Sequence, residues 1–250
     1  MRRRFFVDRF ESNSAHLSGD AAEHLGRVLR AEPGQLYELS DGERVWLGRI
    51  ERVALSKQGR GRVDFALVEP VPAHEPRLRV ELLLSLVKFD RFEWCLEKAT
   101  ELGVNAVIPL AAGRTDKPLI AAASKRHARW EKILLESAQQ SRRLRPPKLD
   151  AIVTPQEAFA ASSAAVKVLL SEKPGAPGLR EVLGRKPHEA SIAGVSAAAL
   201  AVGPEGGWTD DEFAAAHAAR FVETSLGENI LRTETAVIAA MANLIFALSE

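Results

Sequence analysis

Cysteine is nearly missing from this sequence: Cys95 is the single one among 250 residues. One thiol cannot build an internal disulfide framework, and its scarcity fits a reducing compartment. Long apolar runs are missing too; none approaches the roughly 18 residues that a membrane-spanning helix needs. The basic start MRRRFFVDRFESNS has no apolar core and no small-residue cleavage site, so no signal peptide and no membrane partner are expected. The chain is expected in the cytoplasm. A GxxxxGK[ST] phosphate loop, a GxGxxG after an early strand and a GxSxG elbow are all lacking. The six histidines, at 16, 24, 74, 127, 188 and 217, are scattered without metal-ligand spacing, so no metal site is expected. A P-loop ATPase, a serine hydrolase and a metalloenzyme are therefore poorly supported.

What is present suits a foldable chain of one large or two modest domains, with 46% apolar and 27% charged residues. The net charge of +1 hides an asymmetry. Arg114 to Lys148 holds ten Lys/Arg and three Asp/Glu, whereas Leu200 to Glu250 holds two and eight. Two readings of the basic stretch stand: a partner rich in phosphates, or a solvated helix face.

The first 70 or so residues contain short strand-like runs, RRFFVDRF, QLYELS, RVWLGRI and RVDFALV, with Asp41-Gly42 a strong hairpin turn. Between the first two, Leu25, Val28 and Leu29 recur at helical spacing before Pro33-Gly34. A small barrel or sandwich is expected here, followed by the linker EPVPAHEPR. From Leu78 the texture alternates. LRVELLLSLV reads as a strand buried on both faces. DRFEWCLEKATELG reads as a helix with Asp90 as candidate N-cap and Gly103 as stop. VNAVIPLAA, AIVT, AVKVLL and AALAVG read as further strands. SKRHARWEKILLESAQQSRRL and TETAVIAAMANLIFALSE read as helices, the last apolar nearly all round and so destined for a core or an oligomer interface. Alternating strands and helices give an α/β parallel sheet with ligands at carboxyl strand ends.

Four stretches carry chemistry. VGPEGGWTDDE (202–212) places Gly203, Gly206 and Gly207 just after a strand and before a helix that Thr209 or Asp210 caps. It is either a plain turn or a loop whose main chain approaches a flat ligand such as adenine. SLGENILRTETA (225–236) sets apolar Ile230 and Leu231 in a loop, where they would wall a pocket. It has Thr233 as natural N-cap and Arg232 just before it, either functional or in a surface ion pair. LVKFDRFEWCLEKATELGV aligns Glu93, Glu97 and Glu101 as a like-charge stripe that suggests basic neighbours or a solvated face. ESAQQSRR brings Gln140, Arg142 and Arg143 to a helix end before Pro146-Pro147.

KFDRFEWCLEKATELGV, ESAQQSRR, VGPEGG and LGENILRTETA, in this order, closely resemble the ribosomal RNA small subunit methyltransferase E family. HLGRVLRAEPG (24–34) adds to it by looking like that family's N-terminal RNA-binding module. The resemblance implies a SPOUT-type α/β domain with a C-terminal deep trefoil knot over residues 76–250, preceded by a small PUA-like β-barrel over 1–72. It implies a homodimer that methylates N3 of a uridine in small-subunit ribosomal RNA, free or in the assembled small ribosomal subunit, with S-adenosyl-L-methionine. Carried over by position, Leu170, Ala201, Val202, Gly203, Pro204, Glu205, Gly206 and Gly207 would bind the cofactor, with Leu226, Gly227, Ile230, Leu231, Thr235 and Ala236. Arg232 and Glu234 match the signature at the catalytic cleft. Arg27, Arg30, Arg114, Arg142 and Arg143 are the candidates for holding RNA phosphates. The chain departs from many relatives at Glu228-Asn229, where they have Pro-Arg, and at Gln139, where they have an acid. Two alternatives stand beside this reading: a SPOUT ribose 2′-O-methyltransferase, and a ribosome-assembly RNA-binding protein without turnover.

Overall fold

The computed structural model describes residues 3–56, 61–73, 75–184 and 196–248. These form two compact units, Met1–Glu75 with Ala138–Pro146, and Pro76–Ser137 with Pro147–Glu250. In the first unit, strands β1 (Arg4–Phe6), β2 (Ser14–Ser18), β3 (Leu36–Ser40), β4 (Val45–Ala54) and β5 (Arg62–Val71) make one sheet of order β1-β3-β4-β5-β2. Only β1 and β3 pair in parallel. The hairpin expected at Asp41-Gly42 is present. Gly42 takes φ +88°, and the Asp41 carboxylate accepts from the amides of Glu43 and Arg44 at 3.0 and 2.7 Å. Strand β2 has no counterpart in the sequence reading, because SAHLS offers only Ala15 and Leu17 to the core. Its partner β5 supplies most of the apolar surface.

Helix α1 (Gly19–Glu23) runs into a π-turn, His24–Val28. The expected sharing of one face by Leu25, Val28 and Leu29 does not hold: Leu25 is buried and Val28 is 66% exposed. The i→i−5 bond from the Leu29 amide to the His24 carbonyl (3.1 Å) widens the turn and rotates Val28 outward.

The second unit is an all-parallel sheet of order β11-β9-β10-β6-β7-β8. Its strands are β6 (Arg79–Ser85), β7 (Ala106–Leu110), β8 (Lys148–Leu149), β9 (Val166–Leu170), β10 (Ala197–Val202) and β11 (Val222–Thr224). Strand alternation divides its side chains between two cores, as the period of two requires. Val80, Leu82, Leu84, Leu200 and Val202 face α2 (Phe89–Glu101) and α8 (Thr233–Leu248). Leu83, Leu169, Ala199 and Ala201 face α5 (Pro155–Ala161) and α7 (Asp210–Ala218). The remaining helices are α3 (Lys117–Ala123), α4 (His127–Gln140) and α6 (Leu179–Gly184). Trp130 of α4 packs its ring 4.5 Å from Phe92 of α2, an arrangement worth about 0.5–1.5 kcal/mol beyond area burial.

Several expectations are corrected in detail. AIVT forms no strand, only the isolated bridge Leu110–Val153. The N-cap of α2 is Lys88, with Asp90 in its first turn. Gly103 does end that helix, at φ +95°. The proline-rich stretch 69–77 includes residue 74, which lies outside the described residues. No helix of the described residues is long and apolar enough to cross a membrane.

Candidate functional site

Strands β10 and β11 flank β9 in the same direction, so the segments after them leave the sheet on either side of Leu170. Two strand spacings set those departures about 10 Å apart, the width of a flat nucleoside. Leu170 ends β9, and Ala201 and Val202, both buried, end β10.

The first segment is a turn closed by the Gly207 amide donating to the Pro204 carbonyl at 2.8 Å, with Gly207 at φ +71°. Its neighbours are the chain's own side chains. A Cβ on Gly203 would lie 3.0 Å from the buried Trp208 indole, and one on Gly206 would lie 3.1 Å from Cβ of Arg114. Arg114 donates to the Gly206 carbonyl at 3.0 Å. Arg91, from the first turn of α2, pairs with Glu205 at the tip. Thr209 is the N-cap of α7 and forms a reciprocal capping box with Glu212. Glu212 also accepts from the Gly113 amide at 2.8 Å. Close backbone approach thus explains Gly203 and Gly206, and the approaching groups are Trp208 and Arg114.

The second segment runs from Ser225 into α8. Gly227 takes φ +132°, reachable without strain only by glycine. Leu226 and Leu231 are half-buried, whereas Ile230, expected to wall a pocket, is 79% exposed. The first helical bond of α8 goes from the Ala236 amide to the Arg232 carbonyl at 2.9 Å. Arg232 therefore holds the cap position, and Thr233, expected there, is the first helical residue. Among the described residues the exposed Arg232 side chain makes no hydrogen bond or ion pair. Thr235 is exposed and Ala236 half-buried in the same turn.

Glu234, also in that turn, is half-buried, and its Oε2 is enclosed without a hydrogen-bond partner. It lies close enough to α2 to act on Cys95. Burial first, and the Glu234 charge second, push the Cys95 thiol up to about 12. Because the thiolate is the nucleophile, alkylation of Cys95 by iodoacetamide at pH 8 is expected only after unfolding, as mass spectrometry would show. The linkage has a defined sign. A thiol whose folded pKa is raised adds stability that is full below its ordinary value near 9 and is lost as pH climbs towards 12.

Glu93, Glu97 and Glu101 have the basic neighbours their spacing suggested. Glu93 meets Arg126 and Arg129, and Lys98 bridges Glu97 and Glu101 at 2.7 and 2.8 Å. Of the five arginines expected to hold RNA phosphates, Arg114 belongs to the second unit and the other four to the first. Arg27 is tied to Glu23 at 2.5 Å and to the Ser56 carbonyl at 2.8 Å. Arg30 is exposed with φ +50°. Arg142 lies on Glu38, and burial pushes the Arg143 guanidinium down to about 10.

A family model described as RNA methyltransferase domain matches residues 74–245. A ribosomal RNA small subunit methyltransferase E of Mycobacterium bovis is 31% identical over 246 residues, covering 95% of this chain and 88% of that protein. The chain belongs to the ribosomal RNA small subunit methyltransferase E family. A member from Synechocystis is 34% identical over 224 residues, covering 88% of this chain and 69% of the relative. A crystal structure of a member from Neisseria gonorrhoeae, bound to S-adenosyl methionine, superposes with a TM-score of 0.82 at 30% identity, covering 98% of both chains. The mixed α/β fold with one parallel sheet is common to this family. The sequence reading gave no role to Trp208, Arg91 or Glu212. The T-x-x-E spacing of Thr209 and Glu212 was a readable capping signal, but a pairing between Arg91 and Glu205 across 114 positions had none.

Proposed function

We propose that this chain transfers a methyl group from S-adenosyl-L-methionine to N3 of a uridine in small-subunit ribosomal RNA. The observation that carries the reading is that the segments after β10 and β11 leave the sheet on either side of Leu170, in a member of this methyltransferase family. An adenosine would lie between the turns at Gly207 and Gly227, both at positive φ, with half-buried Leu226 and Leu231 offering apolar surface. When bound, that cofactor supplies an electrophilic methyl on sulfonium. The chain's residues hold the reactants, and such positioning contributes about 7–11 kcal/mol to a two-reactant step.

To accept that methyl, N3 would have to give up its proton. Arg232, a cation without a side-chain partner among the described residues, stabilises the negative charge that develops on the uracil oxygens. Glu234, in the first turn of α8 beside Arg232, is the candidate to take the proton. N3 lies on the Watson–Crick edge, so the target uridine must be unpaired or flipped out. Residues 1–72 serve as a PUA-like RNA-binding barrel, and 76–250 as the knotted SPOUT domain. A second copy covers the apolar side chains of Trp94, Ile230 and Phe246, the last 87% exposed on α8.

Arg30 has the clearest access to phosphate, and Arg30→Ala is expected to lower the slope of log K against log salt by about 0.7–0.9. Filter binding to small-subunit RNA over a salt series measures it, and an unchanged slope removes Arg30 from the interface. The deciding experiment incubates the pure protein with isotopically labelled S-adenosyl-L-methionine and undermethylated small subunits, then analyses nucleosides. Label in 3-methyluridine supports the proposal. Label on ribose would favour the 2′-O reading, and RNA affinity without label would favour a non-catalytic binder.

A further inference from the structure

We propose that Trp208 is a positioning residue that builds the cofactor slot before any ligand arrives, by tying the Leu170 carbonyl to the glycine turn. The inference rests on the cofactor reading above and adds a residue that neither the resemblance nor the motifs assign.

Its geometry follows from the sheet. The register of β9 with β10 ends at Leu169 and Ala201, whereas β9 and β11 stay paired to Leu170 and Thr224. The Ser171 amide donates to the Thr224 carbonyl at 2.9 Å, towards β11. Because the C=O and N–H of one trans peptide group point to opposite sides, the Leu170 carbonyl points to the β10 side, where the ladder has stopped because the chain turns away at Gly203. A buried carbonyl in that place needs a donor. Trp208 supplies it: the indole Nε1 donates to the Leu170 oxygen at 2.9 Å, and the ring is 4% exposed.

The same ring lies under the turn. A Cβ on Gly203 would come within 3.0 Å of Cε2 and 3.1 Å of Nε1. Phe159 braces it edge-on with centroids 5.7 Å apart, and Thr209, the next residue, is fixed as the cap of α7. One side chain thus sets the separation of Leu170, between the two departing segments, from residues 203–207, one of the two walls between which the nucleoside would lie. A slot built in advance binds more tightly because less is ordered on binding.

Trp208→Phe keeps a ring against Phe159 and removes the donor. The expected result, by calorimetry with S-adenosyl-L-homocysteine, is a Kd raised about 5–10-fold, the scale of one buried hydrogen bond. In steady state the KM for S-adenosyl-L-methionine should rise by a similar factor, with kcat and the KM for RNA within twofold. A role confined to fold stability would lower Tm and leave that KM unchanged. Gly203→Ala, which pushes on the ring from the other side, should weaken the same binding. The double variant should lose less than the product of the two factors, since both act through one contact. If Trp208→Phe does not fold, Gly203→Ala decides alone. Wild-type protein that binds S-adenosyl-L-homocysteine, with folded variants that bind within twofold of it, would overturn this inference only. Wild-type protein with no uptake would overturn the cofactor reading along with it.

Discussion

Arg232→Ala is expected to lower single-turnover methylation about 10²–10³-fold while S-adenosyl-L-homocysteine binding stays within twofold of wild type. The magnitude is that of removing one preorganised group aimed at developing negative charge. The position itself argues for such a role. Arg232 caps the N-terminus of α8 and lacks a side-chain partner among the described residues. A cation there opposes the helix dipole, by about 0.3–1 kcal/mol, so the fold gains nothing from it. Removing the charge should leave Tm unchanged or slightly raised, and lost activity would not be lost folding. Arg232→Lys keeps the charge but not the planar fork and should recover only part of the rate. A near-normal single-turnover rate in Arg232→Ala would exclude the arginine from the chemistry.

How far the sequence showed this site depends on the range of each interaction. VGPEGGWTDDE was legible because eleven adjacent residues combine a turn with a helix start, and the structure places a turn and a capped helix there. Strands β6, β7, β9 and β10 were legible because continuous apolar runs mark burial on both faces; the two-residue β8 and the three-residue β11 were too short to leave such a mark. The cap of α8 was misplaced by one residue, since a threonine satisfies the usual cap preference and nothing local favours an arginine there. Trp208 carried no signal of its own in the sequence. Its partner, the Leu170 carbonyl, lies 38 positions away and becomes a site only when β10 ends one pair early. The exposure of Ile230 was equally unreadable, because an apolar loop residue looks the same whether it lines a pocket or meets a second copy.

The strongest expected effect on stability is at a residue no motif marked. Glu38, 3% exposed, receives Arg4 through two bonds of 3.1 and 2.9 Å to one oxygen and Arg142 through both oxygens. Burial first, and Arg142 second, depress the Arg4 guanidinium, so the two cations already oppose each other across a single carboxylate. Glu38→Gln removes the charge that reconciles them and is expected to cost about 3–5 kcal/mol, the range for breaking one side of a buried ion pair. Urea unfolding would show it as a lower midpoint with an unchanged slope. Replacing Arg4 and Glu38 together by apolar residues should cost much less, because no unpaired charge remains buried. The same carboxylate bears on RNA binding. A phosphate that recruits Arg142 must compete with Glu38, which holds it through both oxygens, so Arg142→Ala should change the salt slope less than Arg30→Ala does. An equal change in both would mean that Arg142 leaves Glu38 when RNA binds, and the Arg4–Glu38 pair alone would then carry the fold at that point.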